Sequence, residues 1–303
     1  MMKWIKRNGI SLLLVAVMLV GAGLISYPTF ADWVNSRNQS RVVTSYIDAV
    51  NNVDPAEYER ILQAAEVYNQ NLAENGVKFV WTDEERAEYE QQLSIDGSDI
   101  MGYITIDKIG VRLPIHHGTE ESVLQTAIGH LEWSSLPVGG ESSHCIVSGH
   151  RGLPSARLFT DIDKMQEGDI FTLSVLDRTF TYQVDQISTV LPYELENLQI
   201  EPGKDYCTLV TCTPYGINTH RLLVRGVRIP NLPEKAAETA AADAGEPQEV
   251  VETGWQLPVP VFVAAPLATL GLLLIIFLIR MLMRLMNNNN KGKTDQKHKQ
   301  EDE

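Results

Sequence analysis

From Asn8 to Ala31 the chain carries no charged side chain, and its centre, Ile10–Ile25, is almost wholly aliphatic. A second uncharged run extends from Leu257 to Ile279. Each is long enough for a helix to cross roughly 30 Å of hydrocarbon, which predicts a membrane-spanning segment within residues 1–31 and another within 257–284. Between them the period of the apolar positions changes once. Over residues 34–94 it is helical: Val42, Val43, Tyr46, Ile47 and Val50 share one face, and Tyr58, Ile61, Leu62, Ala65, Tyr68 and Leu72 share the next. Asp54-Pro55 supplies an N-cap and a first-turn proline, and Thr82 with Glu85 forms the capping box of a short helix over Thr82–Leu93. The intervening loop Asn75–Trp81 carries two aromatics, Phe79 and Trp81.

After Asp99 the pattern becomes that of strands, predicted at Met101–Asp107, Val111–Ile115, His144–Ser148, Asp169–Val175, Phe180–Ile187, Asp205–Thr211 and Arg221–Val227. Short strands at this spacing, with helical inserts only at Glu121–Ile128 and Leu158–Met165, predict a small closed barrel. Residues 232–256, rich in Ala, Glu and Pro without periodicity, read as a flexible linker, and residues 285–303 as a polar, disordered cytoplasmic tail. The expected organisation is an anchor at 1–31, a helical extension at 32–98, a catalytic barrel at 99–231, the linker, a spanning helix at 257–284 and the tail.

Charge orients this arrangement. Lys3, Lys6 and Arg7 precede the first apolar run and Arg280 and Arg284 follow the second, so the positive-inside rule puts both termini in the cytoplasm and the middle outside. Cleavage after Thr29-Phe30-Ala31, as of a signal segment, is the alternative for the first run. The outer part is acidic: residues 32–257 hold 16 Lys+Arg against 35 Asp+Glu, or 16 − 35 = −19. That balance, and the lack of a basic stripe interleaved with aromatics, argues against nucleic acid as a partner. The 3 cysteines are an odd number for an exported chain, so at least one thiol stays unpaired or pairs outside the chain. No Cys-x-x-Cys or His-x₃-His spacing calls for a metal, and nothing calls for a cofactor.

The chemistry concentrates in two segments. Thr208-Leu-Val-Thr-Cys-Thr-Pro-Tyr-Gly216 puts Cys212 at the end of a β-branched run, and a turn over Pro214–Asn218 leads back to Arg221 on an antiparallel return strand. Ser148-Gly-His-Arg-Gly152 puts His150 between glycines at the end of another run. A thiol becomes a useful nucleophile only as the thiolate, beside an acid/base partner, and a fixed guanidinium can hold a carbonyl oxygen as it gains charge. Each residue taken alone also has an ordinary reading, as a small buried cysteine, a hydrogen-bonded histidine or a solvated arginine. Cys145 and Cys207 fit the first of these, and Cys207 and Cys212, five positions apart, face opposite sides of a strand. His116, His117, His130, His144 and His220 are the other histidines of the ectodomain, and Arg225 shares a strand face with Arg221 as its rival.

The chain resembles the sortases, and more closely the class C, pilus-assembling sortases of Gram-positive bacteria. The resemblance covers roughly residues 40–230 and rests on Gly102–Asp107, Leu113–Gly118, Gly129–Glu132, Ser135–Gly140, Ser148–Ala156, Leu158–Asp161 and Thr208–Gly216 with Arg221. It implies a closed eight-stranded β-barrel with an N-terminal helical extension, flanked here by two transmembrane helices, and a Cys–His–Arg site carried onto Cys212, His150 and Arg221. It also implies a membrane-anchored cysteine transpeptidase. Such an enzyme cleaves an LPxTG-like sorting signal between Thr and Gly through a thioester and passes the acyl group to a pilin lysine amine. Transfer to a cell-wall peptidoglycan amine is the alternative acceptor reaction, and a non-catalytic, membrane-tethered peptide-binding barrel the alternative of another class. Class C members typically close the site with a lid bearing Asp-Pro-aromatic. That tripeptide is absent, since Asp54-Pro55 is followed by Ala56, and Trp81 stands as the possible lid aromatic.

Overall fold

A computed structural model describes residues 2–95 and 97–231, with side chains from Leu13 onward. The expected linker, second spanning helix and tail lie outside the described residues. Helix α1, Met2–Asn51, unites the first apolar run with the amphipathic stripe that follows it. It is the one helix among the described residues long and apolar enough to cross a membrane. Residues up to Tyr27 form a unit separate from the one beginning at Pro28.

The second unit is a barrel with helices packed on it. Helix α2, Pro55–Asn75, starts where Asp54 accepts a hydrogen bond from Ala56 N, and α3, Asp83–Gln91, opens with both bonds of the Thr82–Glu85 capping box. Buried polar atoms fix how these helices sit. Tyr46 Oη donates to Met101 O at 3.0 Å and accepts from Leu176 N at 2.8 Å. Asn69, buried on α2, accepts from Leu136 N at 2.7 Å and donates to Leu136 O at 3.1 Å. Directed bonds of this kind specify one seating where apolar contact alone tolerates sliding.

Eight strands close the barrel in the order β1-β2-β3-β4-β7-β8-β6-β5. They are β1 Ile100–Ile106, β2 Val111–His117, β3 Ile128–His130, β4 Ser143–Ser148, β5 Ile170–Val175, β6 Arg178–Val190, β7 Asp205–Thr213 and β8 His220–Ile229. Seven match strands expected from the alternation. The eighth, β3, replaces the end of the expected insert at Glu121–Ile128, where helix α4 occupies only Glu121–Leu124. Three residues, Ile-Gly-His, are too few to display a period. The strand exists because its neighbours β2 and β4 supply the ladder on either side. The expected helix at Leu158–Met165 is a single 3₁₀ turn, Ile162–Lys164.

The inward positions of β4, β7 and β8 (Cys145 and Val147, Cys207 and Leu209, Leu222 and Val224) belong to the main core. On the outer face Ile146, Val210 and Leu223 form a second apolar cluster. Leu198 of the β6–β7 connection joins it, and Leu131, Trp133, Val190 and Leu195 pack around it. The barrel wall is therefore buried on both sides just where it approaches the candidate residues.

Candidate active site

Register places the three candidate residues in one row. Cys212 and Arg221 are direct partners across the antiparallel β7–β8 pair. The parallel β4–β7 pair runs in step from Ser143↔Asp205 to Ser148↔Val210. Beyond β4 the step continues: Gly149 N donates to Val210 O at 3.1 Å and Thr211 Oγ1 donates to Gly149 O at 2.7 Å. Two residues past Ser148 and two past Val210 stand His150 and Cys212. Side chains alternate along a strand, so Ile146, Val210 and Leu223 of the outer cluster share the face of His150, Cys212 and Arg221. Cys212 and Arg221 thus stand opposite each other at the end of β7 and the start of β8, and the β4–β7 step, carried two residues past the end of β4, sets His150 level with Cys212 at the edge of the apolar outer cluster.

The three are half-buried. The His150 side chain is 30 % exposed and its Nε2 lies 3.8 Å from Glu121 Oε2 of α4. Arg221 donates from Nη1 to Asn218 O at 3.3 Å and to His220 O at 3.1 Å, so its own turn holds it while no carboxylate among the described residues neutralises it. The rival arginine is committed elsewhere: Arg225 pairs with Asp185 at 2.8 Å and lies 4.2 Å from the Tyr206 ring centroid. The other histidines are likewise occupied. His144 bonds Gln199 O and Thr208 Oγ1, His130 meets Tyr89 and Ser135 O, His117 meets Asp99 O and Gln92 O, and His116 pairs with the Asp99 carboxylate. His220 bonds Thr219 and stands opposite Thr213.

Sequence reasoning passed over Arg151. Its side chain is 11 % exposed and pairs with Asp163. Nη1 donates to Thr213 Oγ1 at 3.2 Å, next to Cys212, and the guanidinium carbon lies 6.0 Å from the Tyr215 ring centroid. Gly152 follows with φ +78°, and a Cβ there would come within 2.8 Å of Tyr215 Cε2. The His150 segment is thereby pressed against the loop after Cys212. The bracketing glycines were the available signal, and Gly149 has the same tightness, since a Cβ would meet Ile128 and Phe159 at 2.9 Å. Helix α1 also reaches this end of the barrel: Asp32 accepts from Arg157 N at 2.8 Å, and Gln39 donates to Thr126 O at 2.7 Å.

Trp81 is placed differently from the other three. Its Nε1 donates to Lys78 O at 2.7 Å and its ring meets Tyr89 edge-on with centroids 5.3 Å apart. Tyr89 in turn stacks on His130. Phe79 meets Trp133. None of the recorded contacts of Trp81 is with Cys212, His150 or Arg221, so here it packs the helical extension on the barrel. A cleft of about 720 Å³ nearby is lined by Tyr89, Gln92, Asp99, His117 and Glu132 and holds no cysteine. Among the described residues no group of His, Cys, Asp and Glu is arranged to hold a metal ion.

Known proteins share this fold. A family model described as a sortase domain matches residues 104–229. The chain is similar to a sortase C1 of Streptococcus agalactiae, with 57 % identity over 63 % of this chain and 100 % of that one and a TM-score of 0.62. It is similar to a sortase C of Streptococcus pneumoniae, with 45 % identity over 64 % and 99 % of the two chains and a TM-score of 0.58. A Clostridium perfringens sortase C solved with the C-terminal cell wall sorting motif is 41 % identical over 63 % and 100 %, with a TM-score of 0.57.

Proposed function

This chain belongs to the sortase family of cysteine transpeptidases, with class C sortases as its structural neighbours, and we propose that it polymerises pilins, with Cys212 as nucleophile, His150 as acid/base and Arg221 as oxyanion stabiliser. The observation that supports the reading is the register: Cys212 pairs with Arg221 across β7 and β8, and His150 follows β4, which runs in step with β7, by two residues.

The steps follow from that order. A pilin presents an LPxTG-like signal, which lies across the ends of β7 and β8 beside Cys212 and Arg221. The Cys212 thiolate attacks the Thr carbonyl carbon, and the developing oxyanion meets the Arg221 guanidinium, which pairs with no carboxylate among the described residues. His150, as imidazolium, protonates the departing glycine amine. The resulting thioester is opened by the amine of a lysine on the next pilin, with His150 now accepting the proton. Acid/base assistance of this kind contributes ~10²–10⁴-fold, so His150→Ala is expected to lose activity on that scale and Cys212→Ala to lose it entirely. The apolar helix α1 serves as membrane anchor and the barrel works outside the cell, which matches the basic residues before the anchor.

The pilin acceptor is favoured over peptidoglycan by the likeness to class C enzymes, one of them studied for its pilin substrate specificity. The test is mass spectrometry of the protein after incubation with a Leu-Pro-x-Thr-Gly peptide, then with either a pilin or a peptidoglycan crosslink amine. An acyl adduct on Cys212 resolved by pilin lysine is expected. Resolution only by the crosslink amine would assign the alternative, and no adduct at all would reject the chemistry.

A further inference from the structure

Three cysteines in an exported chain leave two besides the nucleophile, and the fold brings those two together. Cys145 on β4 and Cys207 on β7 are direct register partners in the parallel pair. Both are free thiols in this structure, 1 % and 0 % exposed, on the inward face of the barrel wall. Neighbouring strands run ~4.8 Å apart, inside the Cα separation of ~4.4–6.8 Å that a disulfide spans. Side chains of register partners also point to the same side. Cys212 is excluded from this pairing, because it lies on the opposite face of β7.

We propose that Cys145 and Cys207 form a disulfide in the mature protein, made by exchange with a small-molecule or protein disulfide on the outer side of the membrane before the barrel closes. Cys145 as thiolate attacks one sulfur of the donor, giving a mixed disulfide and releasing one donor thiolate. Cys207 then attacks the Cys145 sulfur, closing the bond and releasing the second. The chain loses two electrons and two protons, and the donor disulfide becomes two thiols. The reverse order gives the same bond, and once the barrel is closed the two reduced thiols differ. Burial by itself raises the Cys145 thiol, but hydrogen bonds with Cys207 and His130 outweigh it and hold this thiol below its ordinary value. Burial, then the bond to Cys145, push Cys207 well above.

The position of the link matters for the site. Cys145 precedes His150 by five residues and Cys207 precedes Cys212 by five, so the bond ties the two strands one short run upstream of the proposed acid/base and nucleophile. It joins residues 207 − 145 = 62 positions apart, and closing a longer loop restricts the unfolded chain more. The pair therefore acts as a staple on the β4–β7 seam and leaves Cys212 as the single reactive thiol. The inference rests on the reading that places the barrel outside the cell.

The test is a thiol map. The full chain is exported by a Gram-positive host, solubilised in detergent, denatured without reductant in an alkylating agent and digested. The expected result is alkylation at Cys212 alone, with peptides carrying Cys145 and Cys207 joined and lighter by two hydrogens, and two more alkylations after reduction. Three alkylated cysteines without reduction, or a link that includes Cys212, would overturn it. A second readout is melting: reductant should lower the melting temperature of the native chain and leave that of a Cys145→Ala, Cys207→Val variant unchanged. If that variant does not fold, the thiol map of the unaltered chain still decides. Adduct formation on Cys212, measured separately, shows whether the transpeptidase reading fails independently of the link.

Discussion

Arg151 Nη1 donates a hydrogen bond to Thr213 Oγ1 across 3.2 Å, joining the residue after the proposed acid/base to the residue after the proposed nucleophile. The same guanidinium pairs with Asp163, and its buried Nε has no partner among the described residues. A planar fork can hold both partners at once, whereas a lysine offers one point charge on a flexible stem. Arg151→Lys is therefore expected to lower the rate of acyl-enzyme formation with little change in KM. Arg151→Ala, which also strips packing from Tyr215, should destabilise by about 1–3 kcal/mol. Single-turnover kinetics with a sorting-signal peptide, beside thermal melts, check both. A lysine variant with unaltered rate would remove Arg151 from the positioning of the site.

Arg221 and Arg225 share a strand face but differ in what they touch, so their substitutions should separate activity from stability. Arg221→Met is expected to cut acyl transfer by ~10²–10³-fold, the usual loss for one oxyanion donor, with the fold intact. Arg225→Met leaves Asp185 without its partner and is expected to destabilise by about 1–3 kcal/mol while keeping most of the catalytic rate of the folded fraction. Parallel denaturation curves and adduct kinetics distinguish them. The reverse pattern would make Arg225 the oxyanion group.

Gly152→Ala meets two obstacles. A side chain at φ +78° costs about 1–2 kcal/mol, and its Cβ would press on the Tyr215 ring, 2.8 Å away. The substitution should lower both the melting temperature and the adduct rate. In a Tyr215→Ala background the clash is gone and only the backbone cost remains, so the double variant should lose less than the sum of the singles. Additive losses would show that the ring yields freely.

Stability should fall as the medium is acidified below neutrality. Burial, with the Arg225 charge as a further cause, pushes His144 down from 6.5 to about 4. The imidazole is bonded in its neutral form between Gln199 O and Thr208 Oγ1. The unfolded chain takes up a proton that the folded chain refuses, so stability is full above pH 6.5 and is lost between pH 6.5 and about 4. A shift of this size corresponds to roughly 3 kcal/mol. Burial lowers His117 as well, in the same sense. Burial raises Asp205, which opposes the trend at the acid end. Urea midpoints at pH 7 and pH 5 for the native chain and for His144→Gln check this. The variant should show the flatter profile, and equal slopes would exclude His144 as the cause.

The legibility of the fold followed element length. Helices α2 and α3 were readable because Asp54-Pro55 and the Thr82–Glu85 box are local devices whose bonds form within four residues. Seven strands were readable from alternation, while β3, three residues long, carried no period of its own. Trp81 was readable as an aromatic in a loop but not as a neighbour of Tyr89, because a loop residue finds its partner only when the helices dock.

For the proposed site, the sequence alone determined the residue types and their local settings. Those are a cysteine closing a β-branched run, a histidine between two glycines, an arginine on the return strand, and the two faces of β7 that part Cys207 from Cys212. Covalent connectivity and the two-residue repeat of a strand suffice for that. The tertiary structure decided which strands are neighbours. β4 and β7 lie far apart in the chain, and only their parallel pairing sets Cys145 beside Cys207, brings Arg151 onto Thr213 and leads His150 toward the level of Cys212. It also tied Arg225 to Asp185 and, among the described residues, left Arg221 without a carboxylate. Strand order is set by loop closure and by how the barrel buries its inner face, which are properties of the whole chain rather than of any window along it.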